Sequence, residues 1–169
     1  RLPRHSDNHI RVLVPSPADA AELTQLAHAS KRHWGYPESW IQRWQAALTI
    51  TPELIQTHLT RAAVEHAVFV GFCAVHVEGS QASIEPFWIR PSHMGRGIGR
   101  TLFRFVEEDA RAAGATRLLI ESDPHAEQFY RRMGARTIGR KPAMMDETPR
   151  FLALMEKPLA AATTAPRTV

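Results

Sequence analysis

The stretch Ile89-Arg90-Pro91-Ser92-His93-Met94-Gly95-Arg96-Gly97-Ile98-Gly99-Arg100-Thr101-Leu102 joins a β-type run to a helix through three closely spaced glycines. Glycine has no side chain, so a ligand can approach its backbone closely. The first N–H groups of a helix are unpaired and the dipole there is positive, which suits a phosphate or pyrophosphate. The loop is not a Walker loop, because no Gly-Lys-Ser/Thr follows, and its spacing is not the dinucleotide fingerprint G-x-G-x-x-G. On glycine spacing alone, a plain glycine-rich connection before a helix is the lesser alternative.

Working outward, the helix after the loop repeats apolar residues at Ile98, Leu102, Phe105, Val106, Ala110 and Ala113. This spacing predicts their burial, with Glu107 and Arg111 paired on the wet side and Gly114 as the stop. Leu118–Ile120 reads as a buried strand, 124–133 as a short helix ending at Gly134, and 136–139 and 151–155 as the last strands. Upstream, Ala82–Arg90 reads as a strand in which Pro86 cannot donate a ladder hydrogen bond, so a bulge or splay is expected there. Two more strands, 62–70 and 72–77, are expected around Gly71, with a turn at 78–81. Nearer the N-terminus, Ile10–Val14 is a short strand, and Ser16-Pro17-Ala18-Asp19 starts a helix carrying Ala20, Leu23, Leu26 and Ala27. After a break at 33–37, Trp40, Ile41, Trp44, Ala47 and Leu48 share one helical face, and Thr51-Pro52-Glu53 opens a short helix with Leu54, Ile55 and Leu59. The order β-α-α-α-β-β-β-α-β-α-β-β argues for an α/β protein with a mixed sheet and helices on both faces.

The chain has 169 residues, 44% apolar and 22% charged, which suits one globular domain over 10–157, with 1–9 and 160–169 as flexible termini. The single cysteine, Cys73, excludes an intramolecular disulfide and any multi-cysteine metal site; no metal is expected, and the expected location is cytoplasmic. The longest apolar run, Ala67–Val75, is far short of the roughly 20 residues of a membrane span. Arg1–Asp7 has no apolar core behind its charges, so no signal peptide is expected there. Lys and Arg exceed Asp and Glu by 21 − 17 = 4, which is compatible with an anionic ligand but too little to imply nucleic acid. Arg96, Arg100, Arg104, Arg131, Arg132 and Arg136 are more simply read as a solvated face together with cofactor-phosphate contacts than as a nucleic-acid surface.

Ile89–Leu102 resembles motif A of the GNAT N-acetyltransferase superfamily. Downstream, Asp123-Pro124-His125-Ala126-Glu127-Gln128-Phe129-Tyr130-Arg131-Arg132-Met133-Gly134 is similar to its second signature, Asn-x-x-Ala-x-x-Phe-Tyr-x-x-x-Gly. The element order fits that fold over roughly 10–157. The resemblance implies an α+β architecture, a mixed, mostly antiparallel twisted sheet of about six or seven strands with helices on both faces. It also implies acetyl-CoA as co-substrate. The backbone of Gly95, Arg96, Gly97, Ile98, Gly99 and Arg100 would hold the pyrophosphate, and that of Phe87, Trp88 and Ile89 would pair with the pantetheine like an added strand. Asp123, Ala126 and Phe129 would complete the cofactor site. The chain departs from the pattern at Met94, where Arg or Gln is usual, which shifts phosphate charge onto Arg96 or Arg100. It departs again at Asp123, where Asn is common; its carboxylate can accept a hydrogen bond from a pantetheine amide.

Acyl transfer from a thioester to an amine needs a neutral amine, a donor to the developing oxyanion and a proton for the leaving thiolate. Tyr130 stands at the family's general-acid position; a phenol that merely packs is the alternative. Glu85, on the strand expected to line the acetyl group and acceptor, is the best base candidate, against the reading of a solvent-facing strand glutamate. Glu121 and Asp123 are weaker candidates, and His93 reads as an exposed loop residue. On the acceptor side, Trp34 and Tyr36 in the loop 31–37 either wall a pocket, attract a cationic amine through their faces, or simply pack. Trp40 and Trp44, four apart, read as plain helix packing. The function expected is N-acetylation of a primary amine of a small molecule, with no nucleic acid or membrane partner. A peptide or protein N-acetyltransferase and a non-catalytic acyl-CoA-binding regulatory module are the alternatives. Exposed C-terminal strands leave a homodimer open.

Overall fold

A computed structural model of the chain describes residues 9–160. Apart from His9 and Ala160, the termini expected at 1–9 and 160–169 therefore lie outside the described residues. The elements are β1 (Arg11–Leu13), α1 (Ala20–Arg32), α2 (Glu38–Arg43), α3 (Gln45–Leu48), α4 (Pro52–Thr57), β2 (Leu59–Glu65), β3 (Val68–Glu78), β4 (Gln81–Ile89), α5 (Ile98–Ala112), β5 (Arg117–Ser122), α6 (Glu127–Arg132), β6 (Arg136–Pro142) and β7 (Phe151–Pro158). A 3₁₀ turn at Pro17–Asp19 leads into α1, where the Asp19 carboxylate accepts the Ser16 N–H at 2.8 Å. The helix start expected at Ser16 is thus present, with its first turn tightened.

One seven-stranded sheet runs β1-β2-β3-β4-β5-β7-β6. Every pairing is antiparallel except β4 with β5. Helix α5 and the short α6 cover one face, where Phe103, Val106, Ala110, Leu118, Ile120, Tyr130 and Met155 are buried together. The N-terminal helices cover the other face, packing Leu23, Leu26, Ile50 and Ile55 against Ala62, Phe72 and Ala74. Gly71 sits where α5 crosses β3. A Cβ there would lie 2.8 Å from Leu102 Cδ1 and 3.1 Å from Ile98 Cγ2, so any other residue would have to push these side chains aside.

Several local expectations change. The β2–β3 hairpin turns at His66-Ala67, not at Gly71, and β3 runs unbroken through the glycine. Both turn residues have positive φ, 50° and 61°, as a two-residue type I′ hairpin requires. Leu59 belongs to β2, not to the preceding helix. The segment after Pro37 breaks at Trp44 into α2 and α3, leaving Ala47 exposed. In α5, Phe103 is fully buried and Phe105 only half, Ala113 is exposed, and Glu107 is buried. Glu107 is not on a wet face, because Lys157 of β7 reaches it at 2.8 Å and Arg111 at 3.0 Å, satisfying its charge inside.

Candidate active site

The parallel pairing of β4 with β5 runs only from Gln81↔Arg117 to Ile84↔Ile120. Beyond it, β4 continues to Ile89, paired with β3 alone at Cys73↔Phe87, Phe72↔Trp88 and Gly71↔Ile89. Between Ile84 and Phe87 the register slips, with Glu85 and Pro86 opposite Ala74. Pro86 therefore produces the bulge its missing N–H implies, and the strands splay above it. One edge of Phe87, Trp88 and Ile89 faces a gap with backbone donors and acceptors that no strand uses. An extended amide-bearing chain fits such an edge.

The gap leads to the glycine loop. Gly95 and Gly97 have φ of 77° and 83°, values that side chains rarely adopt, and Gly97 caps α5. The first bond of the helix is from Thr101 N–H to Gly97 O, at 3.1 Å, so the amides before it point outward from the helix start. At Gly99 an added Cβ would lie 3.1 Å from the Phe129 ring, which ties the loop to α6. Phe129 meets Phe87 edge-on at 5.5 Å, and Ala126 caps α6 beneath it. The residues present fit a pyrophosphate followed by a pantetheine arm. Side-chain charge at the loop is partly committed: Glu65 holds Arg96 at 3.1 Å and His93 at 3.3 Å. The Arg96 guanidinium, expected at the phosphates, is 43% exposed beside Glu65, and His93 is largely buried, not an exposed loop residue. Arg100 is exposed on the first turn of α5. A cavity of about 110 Å³ behind the loop, lined by Val12, Ala63, Arg96, Gly97 and Thr101, is smaller than an ordinary ligand pocket.

Glu85 leaves the bulge toward the end of α4, where His58 Nε2 lies 2.9 Å from its Oε2. Tyr130 lies on the opposite face of the sheet, in α6, with its ring 6.1 Å from Phe87 and packed on Phe103 and Phe129. Burial pushes its phenol well above the ordinary tyrosine value, so it stays protonated. Glu121 is exposed and paired with Lys141 at 3.2 Å.

Asp123, directly after β5, is the centre of a charged cluster. Its Oδ2 accepts from Lys31 Nζ and Arg150 Nη2, each at 2.7 Å, and Tyr36 O–H lies 3.0 Å from both oxygens. Its Oδ1 also accepts the His125 N–H at 3.0 Å. Burial alone would raise the carboxyl, but the Lys31 charge and the bonds from Lys31, His125 and Tyr36 hold it below the ordinary value. Burial pulls the Lys31 ammonium down against the support of Asp123. Both oxygens of this carboxylate, which the sequence reading brings to a pantetheine amide, already accept hydrogen bonds from within the protein. Tyr36 is half-buried under Lys31 at 4.8 Å and Arg150 at 5.3 Å. Its ring is occupied by the protein's own cations and is not an open seat for a cationic amine. Trp34 is exposed on one side and stacks on His125 at 4.7 Å. Trp44 carries Lys31 and Arg150 at 4.3 and 5.0 Å, and Trp40 donates Nε1–H to Asp146 at 3.0 Å, so these two rings do more than pack a helix. No periodic signal marks Lys31, His58 or Arg150. The one clue is Asp123 itself, an anion where an amide is common, which asks for a cation.

A model of the acetyltransferase (GNAT) family matches residues 20–135. Over 83 residues the chain is 36% identical to streptothricin acetyltransferase of Streptomyces lavendulae, covering 46% of this chain and 44% of that one. Over 67 residues it is 33% identical to an IAA acetyltransferase of Azospirillum brasilense, covering 38% and 44%. The matches thus span less than half the length of these curated relatives. The fold superposes on PaiA N-acetyltransferase of Thermoplasma acidophilum, solved in complex with coenzyme A, with a TM-score of 0.71 at 19% identity, covering 88% of this chain and 98% of that one.

Proposed function

This chain belongs to the acetyltransferase (GNAT) family, and we propose that it moves an acetyl group from acetyl-CoA to a primary amine of a small molecule. The observation that carries the proposal is the gap between β4 and β5, open above Ile84 and Ile120 and closed at one end by the glycine loop. The names of the two curated relatives, each an acetyltransferase of a particular compound, support a small-molecule acceptor. So does the loop between α1 and α2, which closes onto Asp123 and His125 as a wall.

Bound acetyl-CoA supplies an activated acetyl thioester. The amides from Gly95 to Arg100 hold the pyrophosphate, and the free edge of Phe87–Ile89 aligns the arm behind it. Glu85 takes the proton that the amine must lose to attack. An N–H of the unpaired β4 stretch donates to the carbonyl oxygen as negative charge grows there. The C–N bond forms, the C–S bond breaks, Tyr130 gives its proton to the departing sulfur, and the second proton that the nitrogen sheds as it becomes an amide restores the phenol.

Thermal unfolding with and without millimolar acetyl-CoA tests the cofactor half. A rise in Tm is expected, and no shift would overturn it. A screen of primary amines, read by free CoA thiol, tests the acceptor half. Release with lysine-bearing peptides alone would replace the small-molecule reading.

A further inference from the structure

Thr57 and His58 close α4, and their hydrogen bonds fix the imidazole against Glu85. Thr57 Oγ1 donates to Glu53 O at 2.8 Å. The same oxygen lies 2.9 Å from His58 Nδ1 and holds the ring from its other side. Nε2 lies 2.9 Å from Glu85 Oε2, and an ionised carboxylate only accepts, so Nε2–H is the donor across this contact. The titratable groups against His58 are Glu85 from β4 and His76 from β3, whose ring centroid is 5.3 Å away. The His58 side chain is 14% exposed and that of Glu85 45%, so the clamp is inside and the carboxylate reaches outward.

We propose that His58 is a positioning residue for Glu85. Its Nε2–H holds Oε2 and leaves Oε1 to receive the amine's proton. The inference rests on the reading of Glu85 as the base. The transfer balances: the amine proton passes to Oε1, His58 keeps its own, and the exposed carboxyl returns the acquired proton to water. The clamp supplies alignment, on which acyl transfer depends.

The test uses the primary amine that releases most CoA thiol in the screen above. His58→Ala is expected to lower kcat about tenfold with KM for acetyl-CoA unchanged. His58→Gln, whose amide N–H can still hold Oε2, should keep most of the rate. In a Glu85→Gln background His58→Ala should add no further loss. A wild-type kcat in His58→Ala, or equal losses in the Ala and Gln variants, overturns the clamp while leaving Glu85 as base. A fully active Glu85→Gln overturns the base reading and the clamp with it. Independently of activity, long-range ¹H–¹⁵N spectra of the protein alone should show a hydrogen on His58 Nε2. A bare Nε2 overturns the proposal.

Discussion

Asp123→Asn removes one charge and almost no volume, and its cost follows from where its partners sit. Lys31 and Arg150 each lie 2.7 Å from Asp123 Oδ2, with side chains only 10% and 11% exposed. Without the carboxylate, two nearly buried cations face one another across an amide. Removing one partner of a buried ion pair costs about 3–5 kcal/mol. Asp123 itself is 22% exposed, so water relieves part of that. The expected loss is about 2–3 kcal/mol, the low end of the range after this screening. In a chain of this size each kcal/mol lowers Tm by roughly 2–4 °C, so the fall should be roughly 4–12 °C. Lys31→Met in the Asp123→Asn background removes one stranded charge and should restore part of the stability. Thermal and urea unfolding followed by tryptophan fluorescence measure this, since Trp44 lies in the cluster. An Asp123→Asn protein that melts at the wild-type temperature, or a double variant whose losses simply add, would refute the reasoning.

Tyr130→Phe keeps the aromatic packing with Phe87, Phe103 and Phe129 and removes only the proton donor. The expected result is a kcat lower by about 100-fold, at unchanged Tm and acetyl-CoA affinity; full retained activity would confine Tyr130 to packing. Gly71→Ala places a methyl 2.8 Å from Leu102 Cδ1 and should cost about 1–2 kcal/mol, read as a lower urea midpoint at unchanged m-value. The folded Asp123 carboxyl lies below its ordinary value of 3.8, so its charge stabilises the fold fully above that value. The contribution is lost as pH falls through the lowered folded value; wild type should lose stability below about pH 4 in a step that Asp123→Asn lacks.

The second half of the chain was legible because local rules and tertiary structure agree there. The helical period of α5, the glycines that end α5 and α6, and Pro86 in β4 each produce the feature their chemistry implies. The β2–β3 hairpin was illegible because its left-handed residues are histidine and alanine, which carry no turn signal, while Gly71 is glycine for a packing reason. Glu107 looked like a surface partner of Arg111 because Lys157, which satisfies it from β7, lies 50 positions away. The cluster around Asp123 has the same character. Lys31 and Arg150 stand 92 and 27 positions from Asp123, and no periodicity connects them. Glycine spacing and paired motifs give no sign of which distant side chains meet, as the contact of His58 with Glu85 shows.

Only four residue pairs of β4 and β5 join the two halves of the sheet along that seam. So short a seam acts as a pivot with a long arm. Ile89 stands five residues beyond Ile84, roughly 16 Å at about 3.3 Å per residue, so a tilt of about 5° swings it by roughly 1.4 Å. Displacements of that size are enough to slow a reaction that depends on alignment. The brace against such swinging is α5, whose Phe103, Val106 and Ala110 pack on residues from both halves, Val75 and Ile84 on one side and Leu118 and Met155 on the other. Precision at the mouth is therefore a mechanical property of a helix whose apolar face never meets a reactant.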